Sequence, residues 1–177
     1  MHVVSVNTSP GGIPKLPRDR CLVTVAGLEG DGHNHEKHRS PLQAVSLIDE
    51  EILEAMQDEG HDLQPGMLGE NLTLRGAAIQ LLGLGDRLRF SSGLEIEITK
   101  VRPPCYVLDE LDPTLKKIMW NRIGMYARVL HEGEVASGDS LEIITSGSGP
   151  RPALREVPES FVDGTSFARR ILGKEPA

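Results

Sequence analysis

At 177 residues the chain has the size that closes one hydrophobic core, and its 38% apolar and 25% charged residues are those of a globular domain. A formal net charge of −7 excludes an extended nucleic-acid surface, which needs clustered Lys and Arg to displace counterions. The first residues, MHVVSVNTSPGG, lack a charged segment followed by an apolar leader, and no 18-residue apolar run offers a membrane span, so a cytoplasmic protein is expected.

Only 3% of residues are aromatic, so the core must be built from Val, Ile and Leu, a bias that leans toward β structure. HVVSVNTS alternates apolar and polar residues and reads as a strand that runs into the breaker cluster PGGIPKLP, read as a loop. CLVTVAGL is a second β-rich run. The polar stretch EGDGHNHEKHRSP after it is too long for a tight hairpin, and long loops in compact domains often carry function.

From Ser46 the spacing of Leu47, Ile48, Ile52, Leu53 and Met56 predicts a helix, with Ser46 as N-cap, Asp49, Glu50 and Glu51 at the positive end of its dipole, and Gly60 as its stop. PGMLGEN is a turn-rich approach to a short strand NLTLRG. LLGLGDRLRFSSGLEIEITKV then reads as a hairpin around SSG, with Leu94, Ile96 and Ile98 on one face and Glu95, Glu97 and Thr99 on the other. Asp112 and Pro113 suit the N-cap and first position of a short helix, and MYARVLHEG and EVASGDSLEII supply the last strands.

The expectation is at least six strands and two helices in a core that ends near Thr145. LGDRLRF and SGDSLEI echo each other as Gly-Asp turns feeding strands. Residues 146–177 have a linker-like start and could end in a short amphipathic helix, SFARRILGK, docked or free.

Cys21 and Cys105 lie far apart with no CxxC spacing, so neither a zinc ribbon nor a redox dithiol is indicated. His33, His35 and His38, beside Asp31 and Glu36, are metal-ligating types, yet they match neither HExxH nor a finger pattern. No GxSxG, Walker or GxGxxG motif in its proper context occurs, and no carboxylate pair stands out for acid–base work. The remaining candidate is KVRPPCYVLDE. Its two prolines remove two N–H donors and end the preceding strand near Val101, which places Cys105 just beyond a rigid strand terminus, where a side chain can face a cleft. Lys100 and Arg102 would favour its thiolate if their charges approach the sulfur. A buried Cys packed beside Val107 and Leu108 is the alternative.

The pieces GLEGDGHNH, RSPLQAVSLID, PGMLGENLTLRG, LGLGDRLRF, ITKVRPPCYVLDE and MYARVLHEGEVASGD resemble, in order, the MOSC domain family, the C-terminal domain type of molybdenum-cofactor sulfurases, which also occurs as small stand-alone bacterial proteins. The resemblance implies a mainly β, barrel-like fold with a few short helices over residues 1–145. It also implies that Cys105 is the functional sulfur, either carrying sulfur as a persulfide or ligating molybdenum. Arg102, Arg128, Asn71, Arg39, His33 and His35 then become candidates to line a site for the molybdenum cofactor (molybdopterin), while Gly30 and Asp31 shape the loop and Glu70 orients its neighbours.

The chain lacks a PLP-binding domain, so a separate PLP-dependent cysteine desulfurase, or a partner reductase, would have to serve it; neither nucleic acid nor membrane is an expected partner. HEKHRSP departs from the His-Gly-Gly stretch of larger relatives, which suggests the shorter subgroup and a different substrate. Two other readings stay open: a non-catalytic binding module for an anionic, pterin-like ligand, and a metal-binding protein of the histidine loop.

Overall fold

The structure is a computed structural model, and it describes residues 1–32, 40–120 and 122–145. The polar-loop candidates His33, His35, His38 and Arg39 lie outside the described residues, as does the tail 146–177 with its expected helix.

The fold is mainly β. Its strands are β1 (His2–Thr8), β2 (Leu16–Arg18), β3 (Arg20–Thr24), β4 (Gly27–Leu28), β5 (Val45–Asp49), β6 (Leu72–Arg75), β7 (Arg87–Phe90), β8 (Glu95–Val101), β9 (Met125–His131), β10 (Gly133–Ala136) and β11 (Leu141–Thr145). Among the described residues, two short α-helices, α1 (Glu50–Asp58) and α2 (Leu115–Ile118), and three short 3-10 segments complete the regular structure. An eight-stranded sheet runs in the order β11-β7-β8-β9-β5-β6-β1-β2, and a three-stranded sheet in the order β10-β3-β4.

The large sheet curls but does not close into a barrel. Near its two edges, β1 meets the approach to β11 through the isolated bridge His2↔Ser140 and the backbone bonds Val3 N to Asp139 O and Leu141 N to Met1 O. "Barrel-like" therefore holds for the curvature and not for the ladder.

β5 and β6 run parallel, with Leu47 opposite Leu72, and α1 makes the crossover between them, as a parallel connection requires. All five residues of β5 are buried, because the strand separates two apolar clusters. Val45 and Leu47 join the main core with Val6, Leu72, Leu88, Phe90 and Ile96. Ile48 joins the second cluster with Ile52, Leu53, Met56, Leu108 and Met119.

This corrects the expected helix start. Ser46–Asp49 is strand, Ser46 is no N-cap, and α1 begins at Glu50 with Asp49 in the extended N-cap position. A strand buried on both faces shows no alternation, so its apolar residues merged with the helical spacing that follows. The stop at Gly60 holds: it takes φ +96°, which an L side chain resists.

The hairpin of β7 and β8 forms as expected, and β8 ends at Val101. α2 starts later than Asp112 and Pro113 suggested: Thr114 is its N-cap, and Asp112 instead accepts from Thr114 N and Oγ1, both at 2.7 Å. PGGIPKLP, read as loop, ends in the edge strand β2, which pairs with β1.

The Gly-Asp echo has a structural counterpart. Gly85 and Gly138 both have positive φ, Asp86 accepts from Gly83 N at 2.7 Å, Asp139 accepts from Ala136 N at 2.9 Å, and the strands they open, β7 and β11, pair with each other.

Candidate functional site

Where β8 ends, Pro103 and Pro104 carry the chain to Cys105, which stands in extended conformation (φ −103°, ψ 156°) at the head of the 3-10 turn Tyr106–Glu110. Its thiol is free and half-buried. It borders a cleft of about 320 Å³, within the range of small-molecule sites. The β1–β2 loop, the start of β5, the segment before β6 and Tyr126 of β9 form the other walls. The expected placement of Cys105 at a strand terminus facing a cleft is what the structure shows.

Arg102 reaches the same cleft while only 9% exposed. Its Nη2 donates to Leu68 O at 2.5 Å, and its guanidinium carbon lies 6.0 Å from the centre of the Tyr126 ring, a cation–π distance. Nη1 is buried and has no hydrogen-bond partner among the described residues. A charged donor left in that state costs free energy, on the order of 1–3 kcal/mol or more, unless a ligand or water satisfies it.

The segment Gly69-Glu70-Asn71 lies beside Arg102, and Gly69 and Asn71 line the cleft. Gly69 has φ +79°, and a Cβ there would sit 2.7 Å from Ile13 Cγ2, which would have to shift, and 3.2 Å from Arg102 Nη2, which would be crowded; the positive φ strains any side chain besides. Glu70 is fully buried. Its Oε1 accepts from Gly66 N at 2.5 Å and Thr73 Oγ1 at 3.0 Å, bracing the turn before β6. Burial pushes its carboxyl up, against the hydrogen bond from Gly66 and the charge of Arg102.

Asn71 lines the cleft but its amide is occupied. Oδ1 accepts from Ser46 N at 3.1 Å and Ser46 Oγ at 2.8 Å, and Nδ2 donates to Asp31 Oδ2 at 2.8 Å and Asn7 O at 3.3 Å. It acts here as a tie between β5, β1 and the loop after β4. Asp31 also accepts from Ser9 N at 3.0 Å and from Lys15 Nζ at 2.6 Å, and so shapes the loop as expected. Lys15, which no motif marked, lines the cleft.

Of the predicted site residues, the structure brings together Cys105, Arg102 and Asn71. It does not bring Arg128 to the cleft wall. Arg128 follows Tyr126 by two positions on β9 but is exposed, and Nη2 pairs with Glu97 Oε1 at 2.7 Å on the neighbouring strand. Among the described residues no cluster of His, Cys, Asp and Glu could hold a metal ion. Cys21, the other thiol, is buried and directs its sulfur at Leu22 O and Glu29 O; burial raises its pKa, as suits a packed side chain. No helix among the described residues is long and apolar enough to cross a membrane.

A family model for the MOSC domain matches residues 34–142. The uncharacterized protein YflK of Bacillus subtilis (strain 168) is 29% identical over 143 residues, a match covering 77% of this chain but 64% of that protein, less than two thirds of its length. YiiM from Escherichia coli superposes with a TM-score of 0.65 at 26% identity, covering 85% of this chain and 73% of that one. YiiM from Geobacillus stearothermophilus does so with a TM-score of 0.69 at 23% identity, covering 99% and 92%, a likeness of fold. With more than half of its length matched by the family model, and the Gly-Glu-Asn and Pro-Cys elements meeting at one cleft, the chain belongs to the MOSC domain family.

Proposed function

We propose that the cleft holds the molybdenum cofactor and that Cys105 is its functional sulfur, used as a metal ligand or as the carrier of a sulfane sulfur for delivery to the cofactor. MOSC-domain proteins are associated with molybdenum-cofactor sulfurase-like function, which supplies the class of ligand. The observation that carries the reading for this chain is that a half-buried thiol and a buried, unpartnered arginine donor share one cleft of ligand size.

The donor set fits the group. A thiolate is the soft ligand that molybdenum and sulfur exchange both need, and Arg102 Nη1 is a charge-assisted donor suited to the cofactor's anionic end. When bound, the cofactor would supply a redox-active metal centre with soft-ligand chemistry. The chain's own residues would anchor and orient it: Arg102 by charge, Asn71 by holding β5 and the loop in register, and Pro103 and Pro104 by aiming the thiol. A separate desulfurase or reductase would act as partner. Tyr126 would present an aromatic face to the ligand.

Two measurements test this reading. Protein purified anaerobically from a host that makes the cofactor should retain molybdenum, and Cys105→Ser should lose most of it; equal retention would favour a passive binding module. Incubation with a cysteine desulfurase and cysteine should add one sulfur to the intact mass of the wild type and none to Cys105→Ala. If a control carrier is labelled and the wild type is not, the carrier role is excluded.

A further inference from the structure

Adjacent antiparallel strands are ordinarily joined by a short turn, yet β8 and β9 are joined by a long arm that carries the two prolines, Cys105 and α2. The ladder fixes only the two ends of this arm, where Val101 stands opposite Met125. The rest is seated on α1. Leu108, Leu115, Met119 and Ile123 of the arm are buried in the second cluster with Ile52, Leu53 and Met56 of the helix. Cys105 is tied to that cluster at one remove, since its carbonyl accepts from Leu108 N at 3.1 Å.

Polar anchors fasten the arm further. Past the end of α1, His61 Nδ1 lies 3.0 Å from Asp112 Oδ2. Arg122, its side chain 9% exposed, lays a fork on Glu59, the C-cap of α1: Nη1 donates to Oε2 at 3.1 Å and Nη2 to Oε1 at 2.9 Å. Gly124 is the neck. Its O accepts from Arg102 N at 3.1 Å, its N donates to Gln80 Oε1 at 2.7 Å, and a Cβ on it would collide with Leu47 O. Gln80 is buried on the 3-10 turn Ile79–Leu81, whose Ile79 belongs to the main core. A buried amide costs free energy unless its polar atoms are used, and this one holds the neck against a firm base.

We propose that Gln80 and the Glu59–Arg122 fork are positioning residues for Cys105, seating the arm on α1 and so fixing where the thiol stands. None of the three lines the cleft. Arg102 is held separately, through β8 and Leu68 O, so the thiol and the arginine reach the cleft on independent supports. The purpose of this positioning rests on the reading of Cys105 as the functional sulfur; the anchors themselves act on the thiol whatever it carries.

The test uses the full chain and reads the arm directly. Trp120, the single tryptophan of the sequence, is exposed on the arm, so its emission reports the seating. Cys21, buried in β3, is a second thiol that reports opening elsewhere. In the wild type, iodoacetamide should modify Cys105 and leave Cys21 protected. Gln80→Met keeps the bulk of the side chain and strands Gly124 N. It should raise hydrogen exchange in the arm by roughly tenfold, speed the alkylation of Cys105 and shift the Trp120 emission, with Cys21 and the β7–β8 hairpin as in the wild type. Gln80→Glu keeps an oxygen acceptor at the same reach and should restore most of the protection. Arg122→Gln should act in the same direction by a few-fold, with Arg122→Lys between it and the wild type.

Wild-type exchange and alkylation in folded Gln80→Met and Arg122→Gln would overturn the inference and make both residues ordinary packing. So would a loss of protection shared equally by Cys21 and the β7–β8 hairpin, which marks a global loss of stability. If Gln80→Met does not fold, the Arg122 variants decide by the same outcomes. Anchors that control Cys105 in a protein taking up neither molybdenum nor sulfur would overturn the cofactor reading and leave the positioning role standing.

Discussion

Arg102 and Arg128 both belong to the β8–β9 pairing, the first just past its Val101–Met125 end and the second inside it opposite Glu97, and the structure uses them in opposite ways. Arg128 belongs to an open ladder of charge on β7, β8 and β9: Arg87 and Arg128 pair with Glu97, and Arg87, Arg89 and His131 with Glu95. There every cation has an anion beside it and water within reach, so each exposed pair is worth a fraction of a kcal/mol. Arg102 belongs to the enclosed group of Lys15, Asp31, Glu70 and Asn71, where Asp31 is wrapped by donors while Glu70 Oε2 and Arg102 Nη1 are buried without a hydrogen-bond partner among the described residues. Charge alone does not make a binding residue. Burial with an unfilled hydrogen-bonding direction does.

The contrast can be broken or sharpened by mutation. The largest expected effect is at another enclosed carboxyl. Asp49 is 1% exposed at the junction of β5 and α1, and among the described residues neither oxygen has a well-aligned donor, although the backbone N–H groups of Ile79, Gln80 and Ala78 face it. Burial, with lesser repulsion from Glu51, raises its pKa from 3.8 to about 7. Between those values the folded protein holds a proton that the unfolded chain has released, so stability falls as pH rises through that window and levels off above it. At about 1.4 kcal/mol per unit, the total is on the order of 4 kcal/mol. Urea unfolding from pH 4 to 8 should show this slope in the wild type and lose it in Asp49→Asn; parallel profiles would mean that the carboxyl titrates as an open one.

Next in size is Glu70→Ala, which strands Gly66 N and Thr73 Oγ1 in the interior and should cost about 2–4 kcal/mol in urea unfolding. Glu70→Gln keeps the acceptor and should recover most of the loss. Glu95→Gln probes the middle ground, since its side chain is 5% exposed but its partners are open; a cost of about 1 kcal/mol is expected. Smallest is Arg128→Ala, expected within about 0.5 kcal/mol and smaller still in 1 M salt. An Arg128→Ala protein that lost several kcal/mol would erase the distinction between the two arginines.

Much of this was readable beforehand where physics is local. Alternation located β7 and β8, because one face of that hairpin meets the core, and the proline pair located the end of β8 and the exposure of Cys105. β5 was misread because burial on both faces removes its period, and β2 because its three residues, one of them Pro17, carry no pattern of their own. Lys15 escaped notice for a different reason: its partners Asp31 and Arg102 come from other elements, and no spacing along the chain encodes their meeting. Arg128 looked equivalent to Arg102 because a sequence shows charge but not which carboxylate lies across the strand.

The contact between the first residues and the approach to β11 bears on how the chain folds. Besides the β1–β6 ladder, Met1 and Val3 make backbone bonds with residues 138–141, at the far end of the described core. Closing that seam requires one of the longest loops the chain can form, so it carries a high loop-closure entropy and belongs late in folding. During synthesis, the first strand must wait for nearly the whole core to leave the ribosome before that flank is covered, and until then it is an uncovered strand edge open to mispairing.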